Sequence, residues 1–274
     1  MRWTLDPALL GLLIVAGGLY VRAVRTLARR GQRISSWQQT SWWAGLGLMG
    51  IALMGPASGY VTRLLVAHMA EHLLIADIAA PFLLVGLRTP VLQNFLPPTF
   101  MRPLSRSKGL KRFGHGISRP PVAIAIYLLV LYSWHFAFAF EAALRSGWVH
   151  AFQHQSFVAI SVLVWWSAIE PGRARLPGHL WKIGYIFAVR MISLFLGMAL
   201  IFSRSPWYGG FYGDSARQYG LTPLEDQQLA GGMMMSLDIV IIMFALCLFF
   251  WRAAADHDRE EAEAARTTST GQPA

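Results

Sequence analysis

Residues 62–86 read TRLLVAHMAEHLLIADIAAPFLLVG. A helix that crosses a bilayer needs about 20 mostly apolar residues, and this stretch supplies them. Inside the apolar run, however, stand His68, Glu71, His72 and Asp77. Ionisable side chains at membrane depth are costly, and they persist where they pair or do chemistry. His68 and His72 are four residues apart, so on a helix they project from one face with their imidazoles a turn apart. The segment therefore reads as a spanning helix built to carry a functional site.

The rest of the chain has the same character. Apolar residues make up 55% and charged residues only 14% of the 274 positions, and the mean hydropathy is +0.42, well outside the range of an ordinary soluble domain. The same length ruler finds seven spans, at 8–25, 39–57, 62–86, 121–143, 148–169, 180–203 and 229–251. Strand-type alternation is absent, so the expected fold is an all-α, polytopic bundle of seven transmembrane helices over residues 1–252. The tail at 253–274 reads as solvated and disordered. Leu9 to Leu19 is apolar, but its cationic cluster follows the run and no small-residue cleavage site is evident, which argues for a retained helix over a secretion signal.

Charge orients the bundle. A net charge of +10 could point to nucleic acid, but 18 of the 24 basic residues fall on one side of the predicted spans. They follow the first span (Arg22, Arg25, Arg29, Arg30, Arg33), lie between the third and fourth (Arg88, Arg102, Arg106, Lys108, Lys111, Arg112, Arg119), follow the fifth (Arg173, Arg175, Lys182) and follow the last (Arg252, Arg259, Arg266). Arg2, Arg63, Arg145, Arg204 and Arg217 fall on the other side, and Arg190 lies within a span. The positive-inside rule then places the N-terminus outside and the C-terminus in the cytoplasm. That pattern is topogenic, and it excludes a nucleic-acid partner in favour of a lipid bilayer.

This topology sets the depth of five histidines. At a rise of ~1.5 Å per residue, His68 and His72 lie ~9 and ~15 Å below the outer face, His135 ~12 Å, and His150 and His154 ~3 and ~9 Å. All five fall in the outer half of the membrane, and His150 and His154 form a second i, i+4 pair. Imidazole is the commonest ligand for zinc, copper and iron, and facing pairs on neighbouring helices build such sites in bundles. Met69, Met198 and Met233 to Met235 lie in the same region, and thioether sulfur beside imidazole favours Cu(I). Each methionine taken singly is more often a packing residue. A single intramembrane histidine can serve merely as a hydrogen-bond partner between helices, but that account does not fit five in one half of the membrane.

Other polar residues divide more evenly. Glu71 could orient a ring nitrogen or face another helix. Arg190 in the sixth span is at about the depth of Asp238, with Asp77 deeper, and an ion pair that fixes helix packing is preferred over a proton path. His115, His179 and His257 read as solvated. Cys247 is the only cysteine, so neither a disulfide nor a thiolate copper site can form within the chain.

His68-Met-Ala-Glu-His72-Leu-Leu with Ala80-Pro81-Phe-Leu-Leu-Val-Gly86 resembles the third-helix signature of the CtaG family of bacterial cytochrome c oxidase assembly factors. So do Tyr132-Ser-Trp134-His135, Glu141-Ala-Ala-Leu, His150-Ala-Phe-Gln-His154-Gln-Ser-Phe157, Trp165-Trp166 and Leu224-Glu225-Asp226-Gln227-Gln228-Leu-Ala-Gly231. The resemblance runs from about residue 60 to 250. It departs from the family's usual residues at Gln153, at Ala137 and at the methionine after Gly231 and Gly232.

The resemblance implies a multi-pass protein of the bacterial inner membrane. Such a protein supplies copper to a haem-copper oxidase subunit during maturation, with His68, His72, His135, His150 and His154 matching the family's histidines near the periplasmic face. Met69, Met198, Met233, Glu71 and Asp226 are then auxiliary candidates, Glu225 and Asp226 either capturing an incoming cation or capping the last helix. The role is binding and delivery, not enzymatic catalysis. Two rivals come from other classes: a bis-histidine haem electron carrier and an ion or metal transporter lined by Arg190, Asp77 and Asp238. No feature of the sequence fixes an oligomeric state.

Overall fold

A computed structural model describes residues 6–172 and 179–270. Its helices, in chain order, begin with α1 (Pro7–Arg29), α2 (Ser36–Met54), α3 (Leu65–Leu73), α4 (Ala80–Gly86), the short α5 (Val91–Asn94), α6 (Pro98–Arg106) and α7 (Lys108–Ile117). They continue with α8 (Pro120–His135), α9 (Ala137–Arg145), α10 (Gly147–Ile169), α11 (Leu180–Phe202), the single turn α12 (Gly209–Tyr212) and α13 (Pro223–Thr270). No strand occurs among the described residues. Arg2, Arg173 and Arg175, which entered the charge count, lie outside them, as do the side chains of Arg102 and Arg266.

Four helices are long and apolar enough to cross a bilayer: α1, the α3–α4 unit, α11 and α13 as far as Arg259. A fifth candidate arises if α7 and α8, bent by 74°, are taken together. Helices also occupy the other stretches in which seven spans were expected, but α8 has only 16 residues. In α2 and α10, glutamine, serine and histidine side chains depress the hydropathy, so length and composition support four to five spans. The outer surface is greasy, with Leu12, Ile14, Phe138, Phe187, Phe195, Phe244 and Phe250 all exposed, as suits helices surrounded by hydrocarbon. The chain is an all-helical membrane protein.

Two expected boundaries differ. The fourth expected span, 121–143, breaks at Phe136, whose extended backbone separates α8 from α9. The His135 carbonyl at that break accepts a hydrogen bond from the Tyr208 hydroxyl (3.0 Å). At the other end of the chain, α13 stays helical through residues 253–270, the stretch expected to be an irregular tail. The described side chains there at 257–259, 261 and 262 are exposed.

Helices approach closely where glycine leaves room. A Cβ on Gly231 of α13 would lie 2.6 Å from the Gly197 carbonyl oxygen of α11, and one on Gly86 of α4 would lie 2.8 Å from the Trp42 Cα of α2. Without side chains at these points the backbones pack directly, the usual device where lipid supplies no hydrophobic drive between helices. Between α3 and α4, residues Leu74–Ala79 form a π-helix. Pro81, which lacks an N–H, follows directly, so the next carbonyl in the wide register, that of Ala76, has no partner within its own helix. The Ser161 hydroxyl of α10 donates to it instead.

Two sets of buried charges are paired inside the bundle. Arg190 of α11 is fully buried and donates to Asp77 of the π segment (2.5 Å) and to Asp238 of α13 (3.3 Å). Its guanidinium also stands 5.6 Å from the centre of the Tyr127 ring of α8, so one side chain ties four helical segments together. Lys182, counted above with the basic loop residues, is buried at the start of α11 and paired with Glu170 at 2.5 Å. Arg190→Met should destabilise the detergent-solubilised protein by about 3–5 kcal/mol, because two carboxylates lose their counter-charge. Adding Asp77→Asn and Asp238→Asn should recover much of that loss, whereas an unmoved thermal midpoint in the single variant would contradict the account.

Candidate metal centre

The site is assembled on α3 and the N-terminal part of α10, and its first requirement is a fixed start for α3. Leu64 is extended and offers no side-chain cap. The cap comes from α13, where the Asp226 carboxylate accepts from the Leu65 N–H (2.7 Å) and the Val66 N–H (3.0 Å). A buried carboxylate at a helix N-terminus satisfies orphan donors and opposes the positive end of the dipole. Both oxygens of Asp226 are thereby engaged in holding α3. Glu225 does cap its own helix: it accepts from the Thr222 N–H (2.7 Å) while its own N–H donates to the Thr222 hydroxyl (3.2 Å), a capping box.

From that fixed start, His68 and His72 follow on one face of α3, with Nε2 atoms 2.5 Å apart. His150 and His154 lie one turn apart on α10, with ring centres separated by 4.2 Å. The two pairs face each other: His68 is 5.1 Å from His150, and His72 is 4.9 Å from His154. One nitrogen from each of His68, His72 and His150 falls within a 4.8 Å set, and His150, His154 and a Glu71 oxygen form a second such set. His68, His72 and Glu71 are buried, while His150 and His154 are half-buried. Phe140 and Phe157 close the sides, each 4.8 Å from an imidazole of α3.

The cluster leaves many polar atoms without hydrogen-bond partners. His72 Nδ1, His150 Nε2, His154 Nε2, Glu71 Oε2 and both amide atoms of Gln153 are buried and unpartnered. Glu71 Oε2 and His154 Nε2 are 3.8 Å apart, too far for a direct bond. Unpartnered buried polar atoms are rare in packed interiors, and this group of them fits a bound cation. Imidazole nitrogens with a carboxylate are a donor set for a first-row transition metal.

His135 stands apart from the four. It belongs to neither ligand set, and its ring neighbours are Phe140 (6.2 Å) and Phe157 (6.3 Å). Its Nδ1 is 2.8 Å from the Leu131 carbonyl, while its Nε2 is buried and unpartnered. His135 lines a cavity of ≈ 40 Å³ together with His72, Met69 and Met234. Met69, one of the auxiliary candidates, thus lines the cavity with His72. Met198 and Met233 are half-buried and do not line the cavity; in the methionine run opening α13, Met234 is the one that does.

Several contributors were not singled out from sequence. Tyr208 and Tyr212 of the connection between α11 and α13 are buried, donating to the His135 and Val61 carbonyls (3.0 and 2.9 Å). Tyr208 stacks on Phe140 at 4.1 Å, so this loop roofs the cluster. The available signal was the concentration of tyrosine and glycine in residues 204–228.

The model of the cytochrome c oxidase caa3 assembly factor family matches residues 18–256. The chain belongs to that family. Proteins of Mycobacterium bovis and Mycobacterium tuberculosis, both of uncharacterized function, are each 26% identical to it over 255 residues, covering 90% of this chain and 38% of theirs. A third, from Mycobacterium leprae, is 25% identical over 256 residues, covering 89% of this chain and 38% of its own length. The chain therefore spans well under half the length of these curated relatives. No solved structure matches.

Asp226→Ala removes the cap shared by Leu65 and Val66. It should lower stability by about 1–2 kcal/mol and speed amide hydrogen exchange at the start of α3. Exchange at Leu65 and Val66 equal to wild type would contradict the capping role.

Proposed function

We propose that the protein binds copper among His68, His72, His150 and His154 and delivers it to a haem-copper cytochrome c oxidase during maturation. The observation that carries this reading is the meeting of two imidazole pairs from α3 and α10 in one buried cluster, within a chain of an oxidase assembly family. Neutral imidazoles in a low-dielectric interior accept a monovalent soft ion at less electrostatic cost than a divalent one, which favours Cu(I).

Glu71, whose carboxylate lies with His150 and His154 in the second donor set, is a supporting partner of the ion. No substrate bond is made or broken, so the role is that of a chaperone for an ion and not of an enzyme. With the N-terminus outside and seven spans, the cluster faces the periplasmic side of the inner membrane, where an oxidase subunit can dock on the Tyr208 loop. The cavity beside the cluster, ≈ 40 Å³, suits an ion and a water or two rather than a macrocycle, which weighs against the haem alternative. A transporter is also the weaker reading, because Arg190 locks Asp77 and Asp238 in ion pairs.

Anaerobic Cu(I) titration of the purified protein tests the site. His72→Ala and His150→Ala should each weaken binding by more than the ~10–100-fold typical of a lost outer partner, and Glu71→Gln by about that amount. Copper affinity unchanged in both histidine variants would refute the site. Delivery is tested in cells that carry the double variant: their oxidase should be copper-deficient, and oxidase with full copper content would refute delivery.

A further inference from the structure

Beside the four clustered imidazoles, a fifth buried imidazole lies outside both ligand sets. His135 Nδ1 is engaged with the Leu131 carbonyl, which directs the free lone pair to Nε2. That atom is buried without a partner, although the residue lines the cavity. A lone pair with nothing to accept is expensive in an apolar bundle, and the cost recurs in every copy that folds. The other groups lining the cavity include two thioethers, Met69 of α3 and Met234 of α13, both buried. They come from different helices and line the cavity beside His135.

We propose that His135, Met69 and Met234 form a second soft-metal site, a station for Cu(I) separate from the α3–α10 cluster. One imidazole and two thioethers are a donor set that selects Cu(I) and rejects hard divalent ions. The cavity, at ≈ 40 Å³, exceeds the roughly 10–15 Å³ needed for a water-sized occupant, so it can receive an ion without rebuilding the core.

His72 links the two stations. Its Nε2 meets His68 in the cluster, its Nδ1 has no partner, and the residue also lines the cavity. Phe140 and Phe157 lie beside imidazoles of both stations. At the far side of the cavity is Asp77, part of a triad in which two carboxylates share one guanidinium. The resulting net negative charge stabilises a cation in the cavity. Passage from cluster to station is ligand exchange at constant Cu(I); no electron moves, and no further reactant is required.

The inference rests on the copper reading for the identity of the ion, and the test separates the two. The full chain, purified in detergent, is titrated with Cu(I) under anaerobic conditions and its copper X-ray absorption recorded. Wild type should bind two equivalents, with nitrogen and sulfur scatterers. Met69→Leu with Met234→Leu, a volume-conserving pair chosen to keep the fold, should bind one equivalent with nitrogen scatterers alone. His135→Phe should likewise lose one equivalent. His150→Ala with His154→Ala should also bind one, with the sulfur signal retained.

A single wild-type equivalent without sulfur, or a sulfur signal that survives the methionine double variant, overturns the second site while leaving the cluster intact. Loss of all copper in every variant shows one shared site and also overturns it. Two bound equivalents in a protein whose absence leaves the oxidase fully copper-loaded would sink delivery and uphold both sites. No copper in wild type ends both readings.

Discussion

Inside an apolar bundle no water is at hand, so every donor and acceptor must find its partner within the protein. Most of this structure can be read as the consequence. Arg190 takes two carboxylates from two other elements, Ser161 covers the carbonyl that Pro81 abandons, Asp226 reaches across to the first amides of α3, and Tyr208 covers the carbonyl exposed at the Phe136 break. Each of these bonds joins elements that lie far apart in the chain, so satisfying the backbone and assembling the bundle are the same event. Against that background, the unpartnered atoms of His72, His150, His154 and Glu71 stand close together among the described residues, and their donor chemistry is what the proposed ion would use.

Much of this was legible in the residues themselves. Apolar content and length predict helices in a membrane, and i, i+4 spacing predicts two histidine faces; both follow from periods that local sequence carries. The pairing of Arg190 with Asp77 and Asp238 was also foreseeable, since buried charges must find each other. What the sequence could not carry is which faces meet. The grouping of His150 with His68, and the separation of His135 from both, depend on how α8 ends at Phe136 and on how the Tyr208 loop folds back over it. Asp226 shows the same limit: its position fits a cap on its own helix, yet its partners lie more than 150 residues earlier.

Composition bears on the helix count at the candidate site. His150, Gln153 and His154 lower the hydropathy of α10, and α8 ends at His135, so these two helices fall short of a span by length and composition, whereas α3 with α4 passes in spite of its histidines. Function here competes with the composition that insertion demands. Membership in an oxidase assembly family, set beside mycobacterial relatives of more than twice the length, presents the bundle as a unit that can be used within larger proteins.

The π segment Leu74–Ala79 has an evolutionary corollary. A wide turn holds one residue more than an α turn, which advances everything after it by about 100° around the axis. Upstream of it, α3 shows its imidazoles to α10; downstream, α4 shows Gly86 to α2. The extra residue acts as a phase-setter between two neighbours with independent demands. A single-residue deletion at 74–79 would force the helix to serve one of them and turn its back on the other.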